Sequence, residues 1–223
     1  MTRHFRTIII GRGLMGAAAA RHLAGMEEGV AVIGPDEPVD KAEHTGVFAS
    51  HYDEGRITRT IDRNPVWARL ANRSIARYRD IERDSGIDFF GEVGALIVGP
   101  GRSRGRYVET IMDAAGQCGA TAEIVDGAGL LEKFPYFSFA PKTEGVFEPR
   151  RAGYISPRRL VAAQSLLARK AGAEVIATTV TEVSDGGARV SVTTDAGETL
   201  TADKVLVAAG GFTINEKLLP AKI

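Results

Sequence analysis

The stretch Gly11-Arg12-Gly13-Leu14-Met15-Gly16 has the spacing G-x-G-x-x-G. Such a spacing serves the binding of a dinucleotide pyrophosphate. Gly11 allows a tight turn, Gly13 lets phosphate oxygens approach the main chain, and Gly16 lets the following helix pack against the preceding strand. A helix opening at Leu14, Met15 and Gly16 would then offer free N–H groups and a partial positive charge to the phosphates. The same residues without a ligand would be only a glycine-rich turn. Context favours the dinucleotide, because an apolar β-branched run, Phe5–Ile10, leads into the motif and an alanine-rich stretch leaves it. An acidic residue at the end of the second strand ordinarily holds the adenosine ribose. Here that position is Gly34, which leaves Asp36 or Glu37 to reach the ribose from the loop.

The elements that must position this turn are legible. Phe5–Ile10 reads as a buried parallel strand, Gly13–Leu23 as a helix ending near Gly25, and Val30–Ile33 as a second strand. Pro35 to Arg56 has no clean period and reads as loop. Asn64-Pro65 starts a helix to about Arg83, with Trp67, Leu70 and Ile75 to Tyr78 as core. Val93–Val98 is a strand, Arg104–Cys118 a helix and Ala122–Val125 a strand, and Asp126 caps a short helix to Lys133. Ser156-Pro157 opens a helix to about Ala171, with Gly172 as its stop. Glu174–Val183 is extended. Asp185-Gly186-Gly187 and Ala196-Gly197 are turns of a meander that returns to the apolar run Val205–Ala209. A nicotinamide-binding fold would continue after the second strand with a helix and a third strand. The long loop and the meander point instead to FAD.

Composition removes several classes of function. In 223 residues Lys plus Arg (28) balances Asp plus Glu (28), so no net field draws the chain to nucleic acid or a membrane surface. The short basic runs Arg102-Ser103-Arg104-Gly105-Arg106 and Arg150-Arg151 lack interleaved aromatics and read as solvated loops and helix ends. The single cysteine, Cys118, excludes an internal disulfide and reads as a buried inert thiol. His4, His22 and His44 have no metal-ligand spacing, so no metal is expected. The opening MTRHFRTIIIG is too short in apolar residues for a signal peptide or a membrane span, and a cytoplasmic protein is expected.

From Ile8 to the last residue the chain resembles the D-amino-acid-oxidase-like flavoenzymes, most closely their monomeric sarcosine oxidase branch. The most specific segment runs Ala49-Ser50-His51-Tyr52-Asp53-Glu54-Gly55-Arg56-Ile57-Thr58-Arg59. Gly94–Gly99, Gly145–Pro149 with Gly153–Pro157, and Ala202–Phe212 are also similar, in the family's order and spacing. The resemblance implies an α/β fold: a Rossmann-like FAD-binding domain (1–85 and 144–223) and part of an antiparallel-sheet substrate domain (86–143). It implies that Ser50 and His51 contact the flavin and that Tyr52 stands where sarcosine oxidase has a second histidine. Glu54 would lie near a cofactor contact, Arg56 near the flavin ring, and Arg59 on the substrate carboxylate. Val180 would meet the adenine through its backbone, and Ala208, Ala209 and Gly210 would pass the dinucleotide. A guanidinium suits that work, because its planar fork grips a carboxylate bidentately in a dry pocket. Otherwise either arginine is a surface ion pair with Asp53, Glu54 or Asp62.

The expected function is therefore FAD-dependent oxidation of the C–N bond of a small amine or amino acid. Family members run well beyond this length, so the chain is expected to be an amino-terminal part whose carboxy-terminal half, or a second chain, completes the site. A non-catalytic FAD-binding subunit and, less favoured, a nicotinamide-dependent dehydrogenase are the alternatives.

Overall fold

The structure, a computed structural model, describes residues 2–214 and 217–219. The tail Pro220–Ile223, which the resemblance takes in, lies outside the described residues. In chain order the elements begin with β1 (His4–Ile10), α1 (Leu14–Ala24), β2 (Val30–Ile33), β3 (Arg56–Thr58), α2 (Pro65–Ile75) and α3 (Tyr78–Ser85). They continue with β4 (Phe90–Gly91), β5 (Ala95–Pro100), α4 (Tyr107–Cys118), β6 (Glu123–Val125), α5 (Gly127–Lys133) and β7 (Thr143–Glu148). The last are β8 (Gly153–Ile155), α6 (Pro157–Lys170), β9 (Glu174–Ile176), β10 (Val180–Asp185), β11 (Val190–Thr194) and β12 (Thr199–Val207).

Two compact units result. The first comprises Met1–Glu54, Glu82–Asp88 and Pro157–Ile223. Its sheet has the order β10-β11-β12-β1-β2-β9, parallel from β12 through β9 and antiparallel from β10 to β12. β1 is buried on both faces, as its unbroken apolar run requires. Ile9 packs with Ala20 of α1 and Ala168 of α6, while Ile8 and Ile10 pack with Val180, Val192 and Leu200 of the meander. The sheet cannot be flat. β9 and β10 are joined by residues 177–179 only, which reach about 13 Å, whereas six strands side by side span about 24 Å. The meander therefore folds back over the parallel strands, giving three layers: helices, parallel strands, meander.

Two expectations are corrected here. The single extended stretch Glu174–Val183 is two strands on opposite edges of the sheet. A third strand parallel to β2 also exists: it is β9, delivered late in the chain behind α6 rather than directly after β2.

The second unit comprises Gly55–Ile81 and Phe89–Ser156. It holds two antiparallel three-stranded sheets, β5-β7-β6 and β3-β8-β4, and Val146 of the first packs in a core with Ile61, Val108, Ile111 and Ala115. Strand β7 pairs with β5 and β6 and β8 with β3 and β4, so residues 144–156 fall in this unit and not with the residues after them. Residues 55–81 likewise fall in it. The helix expected from Asn64 to Arg83 breaks at Ala76-Arg77, where the Arg77 N–H bonds the Ser74 carbonyl (3.0 Å) and tightens the turn. On α2 it is Ala68 and Ile75 that face inward. Trp67 (65 % exposed) and Leu70 (48 %) face out, against the expectation of core. Cys118 is half-buried, with its Sγ 3.8 Å from the Pro65 carbonyl, rather than fully buried.

Candidate functional site

The glycine turn lies where the parallel strands end and the chain order reverses. β1 has β2 on one side and β12 on the other, so a crevice opens at their carboxyl ends, the place such sheets bind ligands. Main-chain bonds carry the pairing past the strands: Gly11 N–H to the Ile33 carbonyl and Ala208 N–H to the Ile10 carbonyl, both 2.7 Å. Gly11 has φ +105°, and a Cβ on it would stand 2.4 Å from the Ala208 carbonyl oxygen. A Cβ on Gly16 would stand 1.7 Å from the Gly11 carbonyl oxygen, so the third glycine presses the helix start onto the turn itself. At Gly13 the space is open, with only Ala49 Cβ at 3.9 Å. No side chain caps α1 and no acidic residue sits in its first turn. Leu14, Met15 and Gly16 precede the first intrahelical bond, and Met15 is exposed. An open approach, uncapped N–H groups and no competing carboxylate fit a dinucleotide pyrophosphate. Ala208, Ala209 and Gly210 follow β12 beside this turn, with Gly210 at φ +59°. Val180 opens β10, its side chain buried in the core under the meander.

The loop from Pro35 to Glu54 is held by an arginine that sequence reading passed over. Arg158, in the first turn of α6, donates from Nε and Nη2 to both oxygens of Glu37 (2.9 and 2.7 Å) and from Nη2 to the Tyr52 carbonyl (2.6 Å). It also bonds Glu54. Bonds from Arg158 and Lys41 hold the Glu37 carboxyl down at about 2. Tyr52 accepts the Ala49 N–H at its hydroxyl (3.3 Å), and its ring meets His51 edge-on at 4.7 Å. Ser50 is exposed on the same loop. Glu54 thus sits on Arg158 in a fastening, and Asp36 pairs with Arg12 (2.7 Å).

In the second unit, Arg59 lines a cleft of about 390 Å³ with Asp62, Arg63 and Tyr107, walled by Leu96, Val98 and Ile111. Its Nη2 donates to Asp62 Oδ2 (2.8 Å), and its Nε is buried with no acceptor among the described residues. Arg63 lies over the Tyr107 ring at 5.1 Å. Two guanidiniums against an apolar wall suit a small anion with an apolar body. Arg56, on the exposed end of β3, does not line this cleft. The segment after Arg59 is anchored by buried Glu148 of β7, which accepts Thr60 N–H (3.0 Å), the Thr60 hydroxyl and the Ile61 N–H. Burial pushes the Glu148 carboxyl up, and these bonds oppose it.

Arg12, Arg158 and Glu148 carried no periodic signal. Arg12 stood inside the motif and could have been noticed, but Arg158 and Glu148 find partners 121 and 88 residues away. Among the described residues no group of three or more His, Cys, Asp or Glu could hold a metal, and no helix is long and apolar enough to cross a membrane.

The family described as FAD dependent oxidoreductase (DAO) matches residues 6–222. Monomeric sarcosine oxidase of Bacillus sp. is 28 % identical over 220 residues, covering 98 % of this chain and 54 % of its own length. The chain therefore spans about half the length of the curated relatives it matches. Among solved structures, NikD, an unusual amino acid oxidase essential for nikkomycin biosynthesis, has a TM-score of 0.74 at 25 % identity, covering 98 % of this chain and 54 % of that one. L-proline dehydrogenase from P. horikoshii has a TM-score of 0.77 at 17 % identity, covering 97 % and 55 %, a likeness of fold.

Proposed function

The chain belongs to the family of FAD-dependent oxidoreductases, and from that premise we propose that it supplies the cofactor-binding part of an enzyme oxidising the C–N bond of a small amine or amino acid. The observation that carries this reading is the glycine turn: an uncapped helix start, open at Gly13, in the crevice between β1, β2 and β12. Bound there, FAD would supply the electron sink for a hydride equivalent leaving the carbon beside the substrate nitrogen. The first unit is read as the FAD-binding domain, with Gly11, Gly13, Leu14, Met15, Gly16, Ala208, Ala209 and Gly210 about the dinucleotide and Ser50 and His51 presented by the loop that Arg158 fastens. Val180 is read as lying near the adenine. The second unit is read as the substrate side, where Arg59 holds a carboxylate and exchanges Asp62 for it; Arg56 and Tyr52 have the lesser claim.

Relatives such as the sarcosine oxidases and the amino acid oxidase NikD support the amine or amino-acid class. They are also about twice as long as the matched region, so by this reading turnover draws on further residues, in the same polypeptide or in a second chain. The test is titration of the full-length protein with FAD, followed by flavin absorbance and fluorescence quenching, then an oxidation assay across N-methyl and primary amino acids. FAD binding with reduction of the flavin by an amino acid supports the proposal. FAD binding without reduction by any amine leaves a cofactor-holding subunit, and absence of FAD binding refutes both.

A further inference from the structure

Dinucleotide folds hold the adenosine ribose with a carboxylate at the end of the second parallel strand. β2 ends at Ile33, and the next residue, Gly34, cannot do this; the reason it is glycine is visible. A Cβ there would meet Arg12 N at 2.9 Å and Arg12 Cβ and Cγ at 3.2 Å, so Arg12 occupies the space in which a side chain at position 34 would begin. Arg12 then folds along the strand end. Its Nη1 donates to the Gly34 carbonyl (3.1 Å) and its Nη2 to Asp36 Oδ1 (2.7 Å). The Arg12 side chain is 19 % exposed and Asp36 71 %, so an enclosed guanidinium holds an open carboxylate by one oxygen. The other candidate, Glu37, is committed: both its oxygens face Arg158, and Lys41 Nζ lies 2.7 Å from one of them.

We propose that Asp36 is the ribose-binding carboxylate of this protein, moved two residues past the Gly34 position and aimed by Arg12. The positions are coupled. The backbone nitrogen and first side-chain carbons of Arg12 crowd a side chain at 34, and the same arginine recovers the lost function by fixing Asp36. Asp36 would accept a hydrogen bond from a ribose hydroxyl through the oxygen that Arg12 leaves open. Arg12 is a positioning residue, and the pair presents no net positive charge that would favour a phosphorylated ribose.

This rests on the FAD reading above, and the test separates the two. The full-length protein, D36A, R12Q and the double variant are titrated with FAD and with FMN, which lacks the adenosine ribose, while thermal unfolding checks the fold. D36A should lose about ten- to a hundredfold in FAD affinity, the scale of a hydrogen bond to a charged group, with FMN affinity unchanged. R12Q should lose less, and the double variant no more than D36A, because Arg12 acts through Asp36. FAD affinity untouched in D36A, equal losses of FAD and FMN, or additive losses in the double variant would overturn the proposal. A wild-type protein that bound no FAD would instead overturn the cofactor reading beneath it.

Discussion

Replacing Glu148 should loosen the segment that presents Arg59, and the structure sets both the size and the pH dependence of the effect. Glu148 is 1 % exposed and accepts hydrogen bonds from Thr60 N–H, the Thr60 hydroxyl and Ile61 N–H. Glu148→Ala leaves two buried backbone donors without an acceptor, at about 1–3 kcal/mol each, and opens a small void. The hydroxyl can rotate away. The expected loss is about 3–5 kcal/mol, and about 1–2 kcal/mol for Glu148→Gln, whose amide oxygen still accepts. Burial raises the folded-state value of Glu148 above its ordinary 4.5. The stability it contributes is therefore fully present below that ordinary value and is lost as pH rises through the raised folded value. Glutamine does not titrate, so the gap between wild type and Glu148→Gln should be widest at a pH below the ordinary value and narrow at a pH above the raised one. Urea unfolding at both pH values measures the gap, and hydrogen exchange at the Thr60 and Ile61 amides locates it. A gap that widened with rising pH would refute the reasoning, since the three donors would then outweigh burial and favour the ionised form.

Gly16→Ala should abolish FAD binding, because its Cβ would stand 1.7 Å from the Gly11 carbonyl oxygen, a backbone atom with no room to yield; fluorescence titration reads it, and retained affinity would place the phosphates elsewhere. Gly13→Val should also abolish binding but leave the fold intact, since the space there is open, so unchanged thermal unfolding is expected beside lost FAD. Arg59→Ala should weaken binding of a carboxylate substrate by about 2–4 kcal/mol and that of its decarboxylated amine far less. Equal effects on both would make Arg59 a support of the fold. Arg158→Gln should release the 35–54 loop, read as faster proteolysis there at neutral pH. The fastening is fully present above the ordinary Glu37 value of 4.5 and is lost as pH falls through about 2, so the variant and wild type should converge only in strong acid.

What the sequence determined by itself is local. The apolar run of β1, the glycine spacing, the Asn64 and Asp126 caps, the glycine stop at Gly172 and the turns of the meander follow from side-chain periodicity and short-range sterics, and each stands close to where the residues place it. Tertiary structure decided which strands become neighbours. Residues 174–183 look like one strand because nothing in their own pattern reports that β9 must join β2 while β10 joins β11. Residues 144–156 join the second unit for the same reason, since pairing of β7 with β5 and β6 is a long-range choice. Trp67 looks like core until the packing of α2 turns the small Ala68 inward. The site divides along the same line. The glycine turn is legible because its geometry is a property of consecutive residues. Arg158 on Glu37, Glu148 under Thr60 and the cleft at Arg59 are ion pairs, buried acceptors and cavities made by chain segments far apart in sequence, and only closure of the fold brings their charges within hydrogen-bonding reach.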